Sequence, residues 1–316
     1  MKVLHTLVLA LLAAPLSADT LVLSVPNVAG QSTVAGYEGA IDVGTYSFNA
    51  ASFGGTAATS FSVAGPLDRA FPTLFLKCLK GTDLGTVTLS VIAPGAGLRA
   101  ELELTSAVCT SVTFTLGDEE SQSFQFEFAE ATWQHFDPDP SHSGPTARAA
   151  SSHPLPGARR ELESGPAESS ENCARGIFLQ IDDIKGDAEA NTHKDWIRAG
   201  GAAWGAANFG GTRVFYGVEA TGNIDRALPP TYEELINGSV VDPVLLELVC
   251  GGAGNLDIEL TNAEVRYTTV FGAVPRYSYV FEDYQAIEMT YTVIGPDGTP
   301  GTPVTVGWDL VKDQEF

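Results

Sequence analysis

The segment that follows the first strand of the second half of this chain carries its densest group of side chains able to do chemistry. Carboxylates and one imidazole fall within fourteen residues: Asp182, Asp183, Asp187, Glu189, His193 and Asp195. Oxygen-rich clusters of this kind bind calcium in exported proteins. The spacing does not follow a calcium-binding loop with its distal bidentate glutamate, so a solvated loop that contacts a partner is the favoured interpretation.

Catalytic motifs are otherwise scarce. Of the five histidines, only His135 and His193 lie outside the N-terminal leader and the proline-rich middle of the chain. The sequence contains no Gly-x-Ser-x-Gly elbow, phosphate-binding glycine loop, His-Glu-x-x-His or Cys-x-x-Cys. We therefore predict that the protein is not an enzyme and has no cofactor.

Four cysteines have spacings that fit no zinc site. Cys78 and Cys109 lie in the first half, and Cys173 and Cys250 lie in the second. Cysteines of an exported chain are usually paired, and one bridge in each half is the simplest of the three connectivities. The sequence alone does not choose among them.

Residues 1–18 have the features of a secretory signal peptide. Lys2 precedes an apolar run from Leu7 to Ala14, and Ala18 is a small residue suited to the cleavage site. We predict a secreted or periplasmic protein. Its formal net charge of −22 disfavours nucleic acid and anionic membranes as partners, because both would repel the chain.

The chain contains an internal duplication. Leu21 aligns with Ile177, 156 residues later, and the match continues through Phe53-Gly54-Gly55-Thr56 and Phe209-Gly210-Gly211-Thr212. With one residue inserted, Leu67-Asp68-Arg69-Ala70 falls on Ile224-Asp225-Arg226-Ala227. Agreement of this length predicts two copies of one domain, at residues 19–136 and 173–316. The proline- and serine-rich residues 137–172 between them are typical of a disordered linker.

Each copy has the pattern of a mainly β domain. Phe124, Phe126 and Phe128 alternate with polar residues, as do Tyr277, Tyr279 and Phe281, which is the period of a half-buried strand. One short helix per copy is predicted before Gly81 and before Gly238. The expected fold is all-β, with about seven strands and one short α-helix per domain, closed into two tandem β-barrels.

The two copies resemble the haemolysin-coregulated protein (Hcp) family, whose members form the tube of type VI secretion. In the second copy the resemblance rests on residues 177–186, on His193-Lys194-Asp195, and on the closing Val304-Thr305-Val306-Gly307-Trp308-Asp309-Leu310. In the first copy it rests on Asp68-Arg69-Ala70-Phe71-Pro72 and on residues 128–133, but the Gly-Trp-Asp tail is missing.

The resemblance implies a secreted structural protein that assembles with itself. Members of the family form six-subunit rings that stack, so three two-domain chains could complete one ring, and homohexamers with one domain per ring stay open. The loops of residues 30–42 and 186–197 are then expected to reach a neighbouring ring. The candidate inter-subunit residues lie in or directly before the second of these loops: Lys185, Asp187, His193, Lys194 and Asp195. A secreted effector inside the ring is a further candidate partner.

A second class of function also stays open at this level. Trp133, Trp196, Trp204 and Trp308 could line a sugar site, which would make the protein an extracellular glycan- or ligand-binding β-barrel module unconnected with type VI secretion. Core packing is the favoured explanation for these side chains.

Overall fold

The computed structural model describes residues 19–53, 56–94, 97–117, 120–136, 176–190, 192–251, 254–271, 276–295 and 297–316. The predicted signal peptide (1–18) and linker (137–172) lie outside these residues, as does Cys173.

The first domain consists of strands and one helix. Its elements are β1 (Thr20–Ser24), β2 (Ile41–Val43), β3 (Thr45–Phe53), β4 (Thr56–Pro66), α1 (Ala70–Lys80), β5 (Val87–Ala93), β6 (Gly97–Thr105), β7 (Val108–Leu116), β8 (Ser121–Glu127) and β9 (Glu130–His135).

The second domain repeats this order and then extends it. Its elements are β10 (Gly176–Ile181), β11 (Ile197–Phe209), β12 (Thr212–Phe215), β13 (Val218–Asn223), α2 (Leu228–Asn237), β14 (Val240–Val241), β15 (Val244–Gly251), β16 (Gly254–Thr261), β17 (Ala263–Phe271), β18 (Arg276–Glu282), β19 (Ala286–Val293), β20 (Val304–Asp309) and β21 (Gln314–Glu315).

The all-β class with one helix in each domain is confirmed, but the strands are more numerous than expected. In the first domain the chain bends at Gly44, which separates β2 from β3 and divides the strands into the sheet β2-β1-β5-β6-β9 and the group β3-β4-β8-β7. In the second domain β11 is continuous and pairs with both groups of strands. Among the described residues no strand pairing closes either domain into a barrel, so closure is not detected.

The alternating patterns define the core as predicted. Phe124 and Phe126 on β8 are buried, and Tyr277, Tyr279 and Phe281 on β18 are fully buried. Both helices end at a glycine in the left-handed conformation, Gly81 (φ 59°) and Gly238 (φ 62°), where a side chain would be strained.

The long loop of each domain has the same backbone scaffold. The Gly30 amide donates to the Gly39 carbonyl (2.7 Å), and the equivalent Gly186 amide donates to Asp195 (2.6 Å). A side chain at either glycine would collide with the opposite backbone of the loop, which explains why both copies keep glycine there.

A repeated aspartate ties this loop to the start of the helix. Asp68 accepts hydrogen bonds from the amides of Ala70 (2.7 Å) and Gln31 (2.8 Å). Asp225 accepts the equivalent bonds from Ala227 (3.0 Å) and Asp187 (3.4 Å). The Asp-Arg-Ala repeat is therefore explained by two backbone amides that need an acceptor in each domain.

Burial raises the pKa of Asp68 from 3.8 to about 6. The folded state therefore binds this proton more tightly than the unfolded state, so the stability gained from the protonated form is lost as the pH rises from about 4 through about 6. We compare the free energies of unfolding of the wild type and of Asp68→Asn. The wild-type value minus the variant value is expected to fall by on the order of 3 kcal/mol between pH 4 and pH 7. Urea unfolding at several pH values measures this difference.

Asp225→Asn is the matched control, because Asp225 makes the same two contacts but is only half-buried, and its pKa is raised less. A difference between wild type and Asp68→Asn that does not vary with pH would contradict the assignment.

Candidate assembly interface

Among the described residues one strand pair joins the two domains, and helix α1 of the first domain packs against β11 and β20 of the second. β11 of the second domain pairs antiparallel with β7 of the first, from Ala202 opposite Leu116 to Ala207 opposite Ser111. The β11 residues at this pairing are mostly alanine and glycine, which lets the two domains approach closely. A Cβ atom at Gly205 would lie 2.7 Å from Thr113 Cγ2 and 2.9 Å from the Val112 carbonyl oxygen, so this position requires glycine.

Trp204 anchors the junction. Its ring packs edge-on against Phe75 of α1, with centroids 5.2 Å apart, and lies 6.0 Å from Phe114 of β7. Its indole Nε1 donates to the Tyr284 hydroxyl (2.9 Å), which in turn donates to the Tyr216 carbonyl (3.1 Å). This buried aromatic side chain therefore satisfies its polar atom within its own domain while its ring fills a pocket of the other.

The C-terminal end of α1 is capped from the second domain. The last carbonyls of a helix lack partners within the helix. Asn208 Nδ2 donates to the carbonyls of Cys78 (3.1 Å) and Leu79 (3.0 Å), and Arg213 Nε donates to Leu79 (2.6 Å). Lys80 also forms an ion pair with Glu315 of β21. Because Asn208 is buried, its side-chain amide needs hydrogen-bond acceptors within the protein. The first domain supplies them.

The predicted inter-subunit residues divide into two groups. Asp187 and Asp195 are bound to Arg226 of their own domain, with nitrogen–oxygen distances of 3.4 and 2.6 Å. The hydrogen bond from Arg226 holds the pKa of Asp195 below its usual value. Lys185 and Lys194 are exposed, and their positive charges also help to lower the pKa of Asp195. The two lysines are therefore accessible to another molecule, beside this cluster of ion pairs.

His193 is buried and fastens the loop to the sheet. Its ring stacks on Phe178 of β10 with centroids 4.1 Å apart and 12° between the planes. Nε2 donates to Glu247 Oε2 of β15 (2.7 Å), and Thr192 Oγ1 lies 2.8 Å from Nδ1. Trp196 packs against the imidazole edge at 5.0 Å.

A second carboxylate lies beside this histidine. Asp257 of β16 is paired directly opposite Glu247. Burial and the Glu247 charge together raise the pKa of Asp257 from 3.8 to about 6, against the opposing effect of His193. The equivalent positions of the first domain hold Ser90 and Glu101, joined by a 3.2 Å hydrogen bond, so this histidine–carboxylate cluster belongs to the second domain alone.

The acidic residues between Asp182 and Asp195 do not converge on one point. Asp187 and Asp195 bind Arg226, and His193 binds Glu247. No group of metal-ligating side chains is found among the described residues. The tryptophans do not form an exposed platform either. Trp204 and Trp308 are buried, while Trp133 and Trp196 are half-buried.

Two of the cysteines that are candidates for a disulfide are neighbours in the first domain. Cys78 of α1 and Cys109 of β7 are both buried and carry free thiols. Burial and the neighbouring Cys78 thiol raise the pKa of Cys109 well above its ordinary value. Cys250 lies on β15, and its predicted partner Cys173 is outside the described residues.

Sequence reasoning missed the residues that join the domains. Asn208 and Arg213 align with Ser52 and Ala57 of the first copy, so the repeat itself gave no signal for them. The one available clue was that these polar residues replace small ones at equivalent positions. Their role depends on the other domain, which the local pattern does not contain.

Comparison with known proteins gives one family. The family model described as type VI secretion system effector, Hcp, matches residues 22–135 and again residues 178–294. The two matched segments confirm the tandem repeat. No curated protein matches the chain. Among the described residues no helix has the length and apolar character needed to cross a membrane.

Several solved structures are similar to the chain over one domain's length. A type six secretion system protein is 22% identical and matches 45% of this chain and 100% of its own, with a TM-score of 0.41. Hcp1 from Salmonella typhimurium is 19% identical over 45% of this chain and 99% of its own, with a TM-score of 0.39. The secreted protein Hcp3 from Pseudomonas aeruginosa is 17% identical over 41% of this chain and 98% of its own, with a TM-score of 0.32.

The His193 contacts predict that one substitution will loosen the loop without unfolding the domain. In His193→Ala, the amides of Gly186, Ala188 and Asp195 are expected to exchange hydrogen about 10-fold faster or more, because the buried hydrogen bond and the stacking are both lost. Amide exchange followed by mass spectrometry measures this effect. Lys194→Ala is the control, since Lys194 is exposed, and equal exchange in both variants would refute the fastening role of His193.

Proposed function

The chain belongs to the Hcp family of type VI secretion proteins, and on that premise we propose that it is an exported, non-catalytic structural subunit of which three copies form a ring of six domains. The ring would stack on others through the long loops. Its interior offers space for a secreted effector, which is the second partner proposed.

The observation that carries this proposal is the β7–β11 pairing. It joins two homologous domains side by side through unlike surfaces: a strand edge with a helix on one domain, and a different strand edge on the other. Such a heterologous interface can repeat from domain to domain, and it closes into a ring when the rotation permits.

The same two surfaces are present once more in an unpaired form. β3, the equivalent of the paired part of β11, pairs only with β4 among the described residues. The outer edge of β17, the equivalent of β7, pairs among the described residues only at Ala263 and Glu264, with the short strand β14. Long exposed strand edges are normally protected or paired, which supports pairing of these edges between chains.

Three chains satisfy this pattern with six domains. Three pairings lie within chains and three between chains, which gives threefold symmetry. The side-by-side contact of the two domains supports this arrangement over a homohexamer with one domain of each chain in each ring.

The long loops supply the contact proposed between rings. Lys194 in the loop of residues 186–197 and Lys185 just before it are exposed. Asp187, Asp195 and His193 hold that loop in place. The loop of residues 30–42 has few charged side chains, so a ring would present two alternating kinds of loop to its neighbour.

Export completes the proposal. We expect cleavage after Ala18, and we assign residues 19–136 and 173–316 to the two domains and residues 137–172 to the linker between them. A cleaved signal peptide is a departure from the pattern of secretion tube subunits. It places this protein in a secreted or periplasmic setting, where cysteines become oxidised.

Self-assembly predicts a defined particle. Mature protein at high concentration is expected to elute at three times the mass of the chain and to appear as annuli in negative stain. Size-exclusion chromatography with light scattering measures the mass. A protein that is monomeric at every concentration, with no annular particles, would end the ring proposal.

Export also predicts the state of the cysteines and of the N-terminus. We expect an N-terminus at Asp19. We also expect the free thiols of Cys78 and Cys109 to be oxidised to a disulfide in the exported protein, when an exchange catalyst of that compartment accepts two electrons and two protons from them. We expect a second bridge between Cys173 and Cys250. Intact mass and alkylation of the denatured, unreduced protein test these points.

In the exported wild-type protein both Cys78 and Cys109 are expected to resist alkylation until they are reduced. Cys78→Ser provides the control, since it leaves Cys109 free to react. Alkylation of Cys78 and Cys109 without prior reduction would show that the pair stays reduced.

A further inference from the structure

Helices α1 and α2 are equivalent in the repeat but differ in burial. With the single inserted residue, positions 75 and 79 of α1 correspond to positions 232 and 236 of α2, each 157 residues later. Phe75 and Leu79 are 0% exposed, whereas Tyr232 is 51% and Ile236 is 68% exposed. The two positions are four residues apart and lie on one helix face.

The difference has a cause in the contacts of α1. Phe75 is covered by Trp204, and the carbonyl of Leu79 is capped by Asn208 and Arg213, all from the neighbouring domain. The first domain has that neighbour on its α1 side. Among the described residues α2 has no such neighbour, so its large apolar side chains stay exposed although the sequence keeps them.

We propose that the face of Tyr232 and Ile236, together with the open edge of β17, is the docking site for the first domain of a second copy of this chain. This inference rests on the proposed ring and names the surface that joins one chain to the next. The occupant is defined by continuity with the interface already formed within the chain. Its β3 edge pairs with β17 as β11 pairs with β7.

Phe48 of the second copy takes the place of Trp204. It lies 156 residues before Trp204 in the repeat and is half-buried on the equivalent strand. Its ring packs at 5.5 Å against Phe128, which aligns with the Tyr284 that supports Trp204. An aromatic side chain backed by another aromatic is thus present on the equivalent strand of both domains. Trp204 meets Phe75 within the chain, and Phe48 is placed to meet Tyr232 of the next.

The register of this contact follows from the intrachain one. Because Trp204 is opposite Phe114, residue 48 of the incoming chain is opposite residue 270 of β17. The polar caps do not recur, since Ser52 and Ala57 stand where the second domain has Asn208 and Arg213. The contact between chains is therefore more apolar and weaker than the contact within a chain, and ring formation depends on protein concentration.

Substitution of the exposed face tests the assignment. Tyr232→Ser combined with Ile236→Ser is expected to weaken ring formation about 100-fold or more, as loss of central aromatic and aliphatic contacts does in protein interfaces. Sedimentation velocity over a concentration series measures the effect. Glu233→Gln, an exposed change on the same helix, is the control and should leave assembly unchanged.

A mixing experiment identifies the occupant. Phe48→Ser keeps the α2 face intact, and the Tyr232→Ser/Ile236→Ser variant keeps β3 intact. Each variant alone is expected to stay monomeric, while an equimolar mixture forms a dimer that cannot grow, because only one matched pair of surfaces exists. Dimers of Phe48→Ser alone would instead show that two α2 faces meet each other and would overturn the proposal.

The outcomes separate this inference from the ring itself. A monomeric wild type refutes the ring, and the inference falls with it. Rings that persist in the Tyr232→Ser/Ile236→Ser variant, with an unchanged concentration dependence, refute only the docking site. Urea unfolding of each variant confirms that the domains stay folded, which is expected because Tyr232 and Ile236 are exposed.

Discussion

The pairing of β7 with β11 is the constraint on which the rest of this structure depends. When two equivalent domains join through unlike surfaces, one domain uses the first surface and the other domain uses the second. One surface of each kind is then left without a partner in the chain. The chain therefore carries, at its two ends, the two halves of the contact found in its middle. The exposed Tyr232 and Ile236 and the open edges of β3 and β17 all follow from this single arrangement.

Backbone hydrogen-bonding groups strengthen the contact between the two domains of one chain. The last carbonyls of α1 need donors, and Asn208 and Arg213 supply them from the second domain. The tail strands β20 and β21 add the Lys80–Glu315 ion pair on the same side. The first copy lacks this tail, because residues 137 onward take its place. The donors Asn208 and Arg213 and the tail thus belong to the second copy, since Ser52 and Ala57 stand at the equivalent positions of the first.

The two long loops show a similar division between shared and separate features. Asp68 and Asp225 hold the loop to the helix start in both domains through the same pair of backbone amides. In the first loop the Arg69 amide also donates to Gln31 Oε1 (2.9 Å), whereas the second loop has charged fasteners, His193 on Glu247 and Arg226 on Asp195. The loop scaffold is common to both copies, and the charged surface that it presents is specific to the second.

The sequence by itself determined the repeat, the strand and helix types, the helix ends at Gly81 and Gly238, and the family. These features depend on local periodicity and on residues that both copies retain, so a single chain displays them twice. The positions of Asn208, Arg213 and Trp204 in an interface, and the fastening of His193, were decided only by tertiary structure. Their partners lie 54 to 134 residues away along the chain. No local pattern encodes which of these distant strands and helices meet. Closure into a barrel is not detected among the described residues, and the sequence could not decide it, because closure depends on which edges meet and not on which residues form strands.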